Sequence, residues 1–239
     1  MENIKKKTLI FTATYNEADN IKYFLDSVTN LNLEADLLII DDNSPDQTWK
    51  IVDDYSKIKK FVNLIIRKKK EGLDTAHKLA YEYAIQKNYD FLITMDADLS
   101  HDPKSILNFS KELENNNFVI GSRYIKGGKC NLTGFRFFLS YFGNKFIKLI
   151  LQINSNEFTT SYRGFNLKKL DGFSLSQVSS KGYSFFMETI YKIHSKGISI
   201  KEIPITFNHR LRGESKIPKI EIFRTLTNLL KLKILSLKK

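Results

Sequence analysis

A single cysteine, Cys130, excludes an intrachain disulfide and a cysteine-rich zinc site. No run of about 20 apolar residues occurs, which excludes a membrane-spanning helix. The basic Lys5-Lys6-Lys7 is followed by an apolar stretch too short for a secretory leader, merging into Thr12-Ala13-Thr14-Tyr15. No Gly-x-Gly-x-x-Gly follows the first apolar run, which argues against dinucleotide binding. What is present is an ordinary globular complement, 42% hydrophobic over 239 residues. That is enough for a full core in one large α/β domain or two small ones.

Charge is unevenly placed. Residues 1–120 hold 16 Lys and Arg against 20 Asp and Glu, and residues 121–239 hold 22 against 6. A basic excess of that size points to a polyanionic partner: phosphorylated substrates, an anionic membrane surface or nucleic acid. Solvated lysine-rich faces are the plainer reading. No nucleic-acid-binding motif accompanies the charge, so no nucleic-acid partner is expected.

The chain reads as strand, polar turn, helix, repeated. Lys7–Thr14 is a first strand, running into Tyr15-Asn16-Glu17; Ile21, Phe24, Leu25 and Val28 then recur at helical spacing, with Asn16 or Asp19 as the cap. Leu37–Ile40 is a second strand, closing on Asp41-Asp42-Asn43-Ser44-Pro45-Asp46-Gln47-Thr48, with a helix opening at Trp49. Phe61–Arg67 is a third strand, Lys78–Gln86 a helix and Phe91–Met95 a fourth strand. This alternation predicts a parallel sheet with right-handed crossovers, and ligands in such sheets sit beyond the carboxyl ends of the strands. The polar clusters at 15–17, 41–48 and 96–101 all fall there. Carboxylates gathered on one edge repel unless a cation or donor groups intervene.

Asp96-Ala97-Asp98 ends the fourth strand. Residues i and i+2 of an extended chain point the same way, so both carboxylates can face one point. A divalent cation carrying phosphates needs only one or two protein carboxylates. An acidic turn or helix cap is the alternative for so short a pattern.

Ala-Thr-Tyr-Asn-Glu (13–17), Ile-Ile-Asp-Asp-Asn-Ser-Pro-Asp-Gln-Thr (39–48), Asp-Ala-Asp-Leu-Ser-His-Asp-Pro (96–103) and Gly121-Ser122-Arg123-Tyr124 follow in order. So do Thr160-Ser161-Tyr162-Arg163, Ser180-Lys181-Gly182-Tyr183-Ser184-Phe185, Glu202-Ile203-Pro204 and Arg210-Leu211-Arg212-Gly213-Glu214-Ser215-Lys216. Over residues 8 to 216 the chain resembles family 2 glycosyltransferases, and within them dolichol-phosphate (polyprenol-phosphate) mannosyltransferases. The first-strand and Asp-x-Asp motifs are shared widely; their combination with Gly-Glu-Ser-Lys is narrower.

The resemblance implies a GT-A fold, a Rossmann-like, mostly parallel α/β sheet flanked by helices. It implies an inverting transferase moving mannose from GDP-mannose to a polyprenyl monophosphate. In similar enzymes the residues matching Ala13, Tyr15, Glu17, Ile40 and Asp42 hold the donor's base and ribose. Those matching Asp96 and Asp98, with Ser100, hold Mg²⁺ or Mn²⁺, and Ala97 packs near the nucleotide. Arg123, Arg210 and Lys216 match residues on the pyrophosphate and sugar, where guanidinium forks suit phosphate oxygens. Residues 208–216 then form a lid pivoting at Gly213. Arg136 matches an arginine on the acceptor phosphate. His101 reads as a loop residue and not a metal ligand. Asp41 either caps its turn or touches ligand.

The stretch containing Phe137, Phe138, Leu139, Phe142, Phe146, Ile147, Ile150 and Leu151 reads either as a core helix or as a membrane-facing one. Residues 217–239, with Ile220, Phe223, Leu226, Leu230, Ile234 and Leu237 near one face, form a basic amphipathic segment beyond the catalytic domain of residues 1–216. Peripheral attachment to the cytoplasmic face of a membrane is expected, directly or through a small membrane partner protein. Departures from the family pattern are Ala13 for proline, Ser100 for the glutamine of many relatives, Asp74 for a glycine, and Glu157-Phe158-Thr159-Thr160-Ser161-Tyr162-Arg163 where relatives often have aspartate and Thr-Ser-Gly-Phe-Arg, a change conservative in charge that removes a glycine. Asp74 brings charge towards the expected nucleotide face and so bears on donor identity. Were the acceptor a sugar, Asp102 would be the first candidate for a base. The rival readings are a UDP-sugar-dependent transferase acting on undecaprenyl phosphate or another glycan acceptor, and a non-catalytic nucleotide-sugar or membrane-surface binding protein.

Overall fold

The computed structural model describes residues 6–210, 212 and 220–237. The elements in order are β1 (Thr8–Thr14), α1 (Ala18–Thr29), β2 (Ala35–Asp41), α2 (Thr48–Ile58), β3 (Val62–Ile66), α3 (Leu73–Gln86), β4 (Phe91–Thr94) and α4 (Ser105–Leu113). They continue with β5 (Phe118–Ser122), β6 (Lys129–Cys130), α5 (Gly134–Leu151), β7 (Arg163–Asn166), α6 (Tyr183–Ser195), β8 (Ile200–Pro204), β9 (Thr206–Phe207) and α7 (Ile220–Leu237). Seven strands form one sheet in the order β3-β2-β1-β4-β7-β5-β8, and β6 pairs with β9 beside it. β1 to β4 run parallel, as the alternating pattern requires, and β8 runs parallel to β5. β7 is antiparallel to both its neighbours, making the sheet mixed. β7 comes back after the long α5 excursion and enters the sheet from the opposite end.

The period-2 alternation of the strands sorts two cores onto the two faces. Leu9, Phe11, Leu38, Ile40 and Leu92 face α3, α5, α6 and α7, whereas Ile10, Leu37, Ile39 and Ile93 face α1, α2 and α4. α1 buries Ile21, Phe24, Leu25 and Val28, the stripe read from its spacing. Gly164 in β7 lies close under α4, where an added Cβ would stand 2.9 Å from Leu113 Cδ1. A side chain there would force Leu113 and Phe109 of α4 to shift.

Two local expectations change. α3 begins at Leu73, five residues earlier than expected, because Gly72 at φ +100° makes the entry turn and Asp74 supplies a first-turn carboxylate. α1 has Glu17 as its N-cap, not Asn16 or Asp19, and Asn16 adopts φ 56°. Its first N–H groups go instead to the turn after β2: Asn16 to Ser44 Oγ (3.0 Å), Glu17 to Thr48 Oγ1 (2.9 Å) and Ala18 to Asp46 Oδ2 (3.0 Å). α7 seats on the core through Leu229 and Leu232, so Phe223, Leu226, Leu230, Ile234 and Leu237 face outward. α5 does likewise. It buries Asn144, Ile147 and Leu151 and exposes Phe135, Phe138, Phe142, Phe146 and Leu149. Among the described residues no helix is long and apolar enough to cross a membrane.

Candidate active site

The turns after β1, β2 and β4 meet at the carboxyl edge of the sheet, as their positions predicted. Asp41 is fully buried and takes the Thr14 hydroxyl (2.6 Å), the Ser44 N–H (2.7 Å) and the Ser44 hydroxyl (2.7 Å). It therefore caps its own turn. Asp42 pairs with Arg67 and takes the N–H groups of Glu71 and Gly72, each at 3.2 Å. Arg67 also donates to Gly72 O (3.0 Å). Asp42 thus anchors the loop that opens α3. Ile40 is fully buried in the core and Ala13 packs against it, so Ile40 offers a ligand only its backbone. Lys70 Nζ lies 3.9 Å from the Tyr15 ring centroid, over its face.

Asp74, expected to bring charge towards the nucleotide face, accepts the Gly182 N–H with its Oδ1 (3.3 Å) at the start of α6. Glu221 of α7 takes the next N–H, of Tyr183, at 3.3 Å. Gly182 has φ +60°, and the space its Cβ would need is filled by the Glu221 carboxylate. Two carboxylates at the N-terminus of α6 satisfy donors that the helix itself leaves open.

The metal-type carboxylates sit on a turn in which Leu99 takes φ 61°, a conformation few non-glycine residues adopt. Asp96 Oδ1 accepts the Ser161 hydroxyl (2.6 Å), and its side chain is 36% exposed. Asp98 is nearly buried. Its Oδ1 takes the Ser100 N–H (3.0 Å) and hydroxyl (2.6 Å), and its Oδ2 faces Arg210 Nε at 3.0 Å. Ser100, expected among the metal ligands, gives both its N–H and its hydroxyl to Asp98 Oδ1. Ala97 is buried beside them. Arg210 also approaches Glu17, Nη1 to Oε1 at 3.5 Å. Burial pushes the Asp96 carboxyl pKa up and the Asp98 charge adds to the rise, while the Ser161 hydrogen bond and the Arg210 charge pull it down. The arrangement is one that attracts a cation, and Arg210 is the cation it holds. Among the described residues no three His, Cys, Asp or Glu side chains form a metal cage, so phosphate and water would complete any coordination at Asp96 and Asp98.

Arg123, expected on the pyrophosphate, is paired with Glu157 in bidentate fashion (Nε–Oε2 2.6 Å, Nη2–Oε1 2.7 Å) and donates to Thr159 Oγ1 (2.8 Å). Three of its five N–H donors are taken there. Both partners are buried, and Arg123 lies against the Tyr124 and Phe207 rings. Arg136 is exposed on the first turn of α5. Lys216, Gly213 and most of the expected lid lie outside the described residues.

Four residues that the motifs carried without a role stand close to these. Ser161 holds Asp96. His101, fully buried, takes the Asp96 N–H. Burial raises the Tyr183 hydroxyl pKa, and Asp96, Arg210, Asp98 and Glu221 are the charges around it. Arg163 is fully buried, gives Nε to Thr160 O (2.8 Å) and Nη2 to Phe158 O (3.1 Å), and lies over the Phe186 ring (4.9 Å); burial pulls its pKa down to about 9. It fixes the loop that presents Glu157 and Ser161. The available signal was their place inside matched motifs.

A mixed α/β sheet with paired carboxylates on a turn at its carboxyl edge defines a glycosyltransferase of the GT-A fold. The chain belongs to glycosyl transferase family 2, whose model matches residues 9–173. It is 32% identical over 212 residues to the undecaprenyl-phosphate mannosyltransferase of Micrococcus luteus, covering 88% of this chain and 87% of that one. It is 31% identical to the polyprenol monophosphomannose synthase of Mycolicibacterium smegmatis, covering 89% and 81%. Against the dolichol-phosphate mannosyltransferase of Pyrococcus furiosus the identity is 30%, over 95% of this chain and 63% of that protein. Among solved structures, glucosyl-3-phosphoglycerate synthase of Mycobacterium tuberculosis superposes with a TM-score of 0.68 at 14% identity, covering 95% and 80%. A mannosyltransferase from Pyrobaculum calidifontis, solved with GDP-Man and Mn²⁺, superposes at 0.60 and 16%, covering 99% and 66%. At such identities these two likenesses speak for the fold.

Proposed function

We propose that this chain transfers mannose from GDP-mannose to a polyprenyl monophosphate with inversion at the anomeric carbon, working at a membrane surface. The observation that carries the reading is the placement of the two outward apolar helices against the walls of the carboxylate site. The inner face of α5 reaches that wall through Asn144, which takes the Phe158 N–H (2.7 Å), and Ser140, which takes the Tyr124 hydroxyl (2.7 Å). α7 reaches it through Glu221. A soluble acceptor would need no such platform. The names of the relatives agree with a lipid-phosphate acceptor.

Asp96 and Asp98 are the residues that hold a divalent ion, Mg²⁺ or Mn²⁺, which when bound compensates charge on the departing nucleoside diphosphate. Tyr15, Glu17 and the loop anchored by Asp42 line the donor's base and ribose end. Arg210 and Lys216 serve the diphosphate, and Arg123, with the donors Glu157 leaves it, the sugar side. Arg136 stands on the apolar helix for the acceptor phosphate. A lipid monophosphate already carries about −1.5 to −2 charge, so it attacks without a protein base and none is assigned. The test is a donor panel: protein, Mg²⁺, polyprenyl phosphate and labelled GDP-mannose, UDP-glucose or UDP-N-acetylglucosamine in turn. Organic-phase label from GDP-mannose alone is expected. Label from a UDP-sugar would move the donor, and no label with donor bound would sink the transfer.

Arg210 gives a prediction with two signs. Its Nε occupies the Asp98 oxygen that would face a metal, and released from there it would be on hand for the diphosphate. Arg210→Gln should tighten binding of Mn²⁺ alone about fivefold, the worth of a partly exposed ion pair, and weaken binding of Mn²⁺ with GDP by about tenfold. Calorimetric titration with each ligand decides it, and equal effects of one sign would refute the exchange.

Attachment to the cytoplasmic leaflet rests on the α5 and α7 faces and the basic Arg136, Lys145 and Lys148 among them. Phe138→Asp with Phe142→Asp should weaken binding to anionic vesicles about tenfold or more, since each half-exposed ring has about 1 kcal/mol or more to gain from burial. Flotation on vesicles reads it directly. Full flotation of the pair would argue against this face, and no flotation of the parent protein would point to a membrane partner instead.

A further inference from the structure

We propose that His101 is a positioning residue for Asp96, acting through the Asp96 backbone amide; this rests on the reading of Asp96 as a metal ligand. His101 is fully buried, and its Nδ1 lies 3.2 Å from the Asp96 nitrogen. An amide N–H can only donate, so Nδ1 carries the lone pair and the ring proton sits on Nε2. That proton points at Thr160 Oγ1, 3.2 Å away. The next residue, Ser161, gives its hydroxyl to Asp96 Oδ1. Asp96 is therefore held at both ends, backbone and carboxylate, from one loop, and Arg163 fixes the carbonyls of that loop.

The ring also meets the chain leading to Arg210. It lies 5.3 Å from the Phe207 ring and 4.9 Å from that of Tyr162. His101 and Phe207 form an antiparallel bridge, and Asn208 N–H goes to Ser100 O at 2.8 Å. One imidazole thus stands where the carboxylate turn, the Thr160 loop and the strand before Arg210 converge. Both its nitrogens are engaged, which leaves none for a metal. The turn it braces contains the left-handed Leu99, a conformation that persists only when its surroundings impose it.

The test is Mn²⁺ binding to the purified protein, followed by the spectrum of free Mn²⁺, with thermal melting alongside. The variants are His101→Asn, His101→Leu, Thr160→Val and the reference Asp98→Ala. Asparagine places an acceptor near Nδ1 and should keep Mn²⁺ affinity within about threefold. Leucine keeps bulk but not the acceptor and should weaken it about tenfold or more, the usual cost of losing a group behind a metal ligand. Thr160→Val should fall between. Wild-type affinity in His101→Leu, or equal weakening in His101→Asn and His101→Leu, overturns the proposal. If His101→Leu does not fold, Thr160→Val is decisive, and unchanged affinity there overturns it. Equal Mn²⁺ binding by Asp98→Ala and the parent protein would show that the carboxylate pair is no metal site, overturning the reading beneath as well.

Discussion

Asp98→Ala should abolish transfer, with kcat down about 10³-fold or more, while the melting temperature moves by only a few degrees. The side-chain partners of Asp98 are Ser100 and Arg210, both on the site's own turns, so its removal takes no packing from either core. Arg210 keeps Glu17, and Ser100 can turn to water. What is lost is negative charge at the point where Asp96 and Asp98 face a cation together. Asp98→Asn separates charge from shape. Its amide oxygen can still accept from Ser100, so the turn survives, yet activity should fall nearly as far. Initial rates of label transfer, Mn²⁺ titration and melting curves on the two variants provide the check. An asparagine variant with more than about a tenth of parental activity would mean that charge at this position is not what drives departure of the diphosphate.

Glu157→Ala should lower the melting temperature by roughly 6–20 °C. Breaking a buried ion pair by removing one partner costs about 3–5 kcal/mol, and each kcal/mol moves a chain of this size about 2–4 °C. Glu157 is fully buried, and nothing else described near it can neutralise Arg123. Replacing both partners, with Arg123→Met and Glu157→Leu, should recover most of the stability but not the transfer, since apolar pairs of similar volume substitute well for buried ions. The pH dependence has a definite sign. Burial pushes the Glu157 carboxyl pKa up, but the Arg123 charge and the hydrogen bonds from Arg123 and Thr159 outweigh it, and the pKa lies below its ordinary value of 4.5. The pair's contribution is therefore complete above that value and is lost as pH falls through the lower folded-state pKa. Melting temperatures of parent and Glu157→Ala should draw together as pH falls below 4.5 and on through the lower folded-state value. A gap that held constant into acid would mean that packing, not charge, sets the loss.

The contrast between Asp98 and Glu157 shows which parts of the site were legible. Asp96 and Asp98 stand two residues apart just past the end of an apolar run, which marks them as a pair in the sequence, although they lie on a turn and not in the extended strand. Glu157 lies 34 residues from Arg123, and neither residue's neighbourhood announces the other. The same holds for Asp74. As a substitution in a motif it read as a change at the nucleotide face, whereas its partner Gly182 is 108 residues away at the start of another helix. His101 read as a loop residue because a histidine's role depends on what meets its two nitrogens, and here these are the Asp96 amide and the Thr160 hydroxyl.

By itself the sequence determined the β–turn–α order, the edge on which the polar turns gather, the carboxylate pair and the family. The order, the edge and the carboxylate pair rest on short-range periodicity and spacing, and the family on resemblance to known motifs. Only the tertiary structure decided that β7 runs backwards, that α5 and α7 turn their aromatic and leucine-rich faces outward, and that Arg123 pairs with Glu157, Asp42 with Arg67 and Ser100 with Asp98. Those outcomes depend on which buried polar group finds which partner across the chain. Desolvation makes that pairing obligatory, and no local pattern encodes the choice.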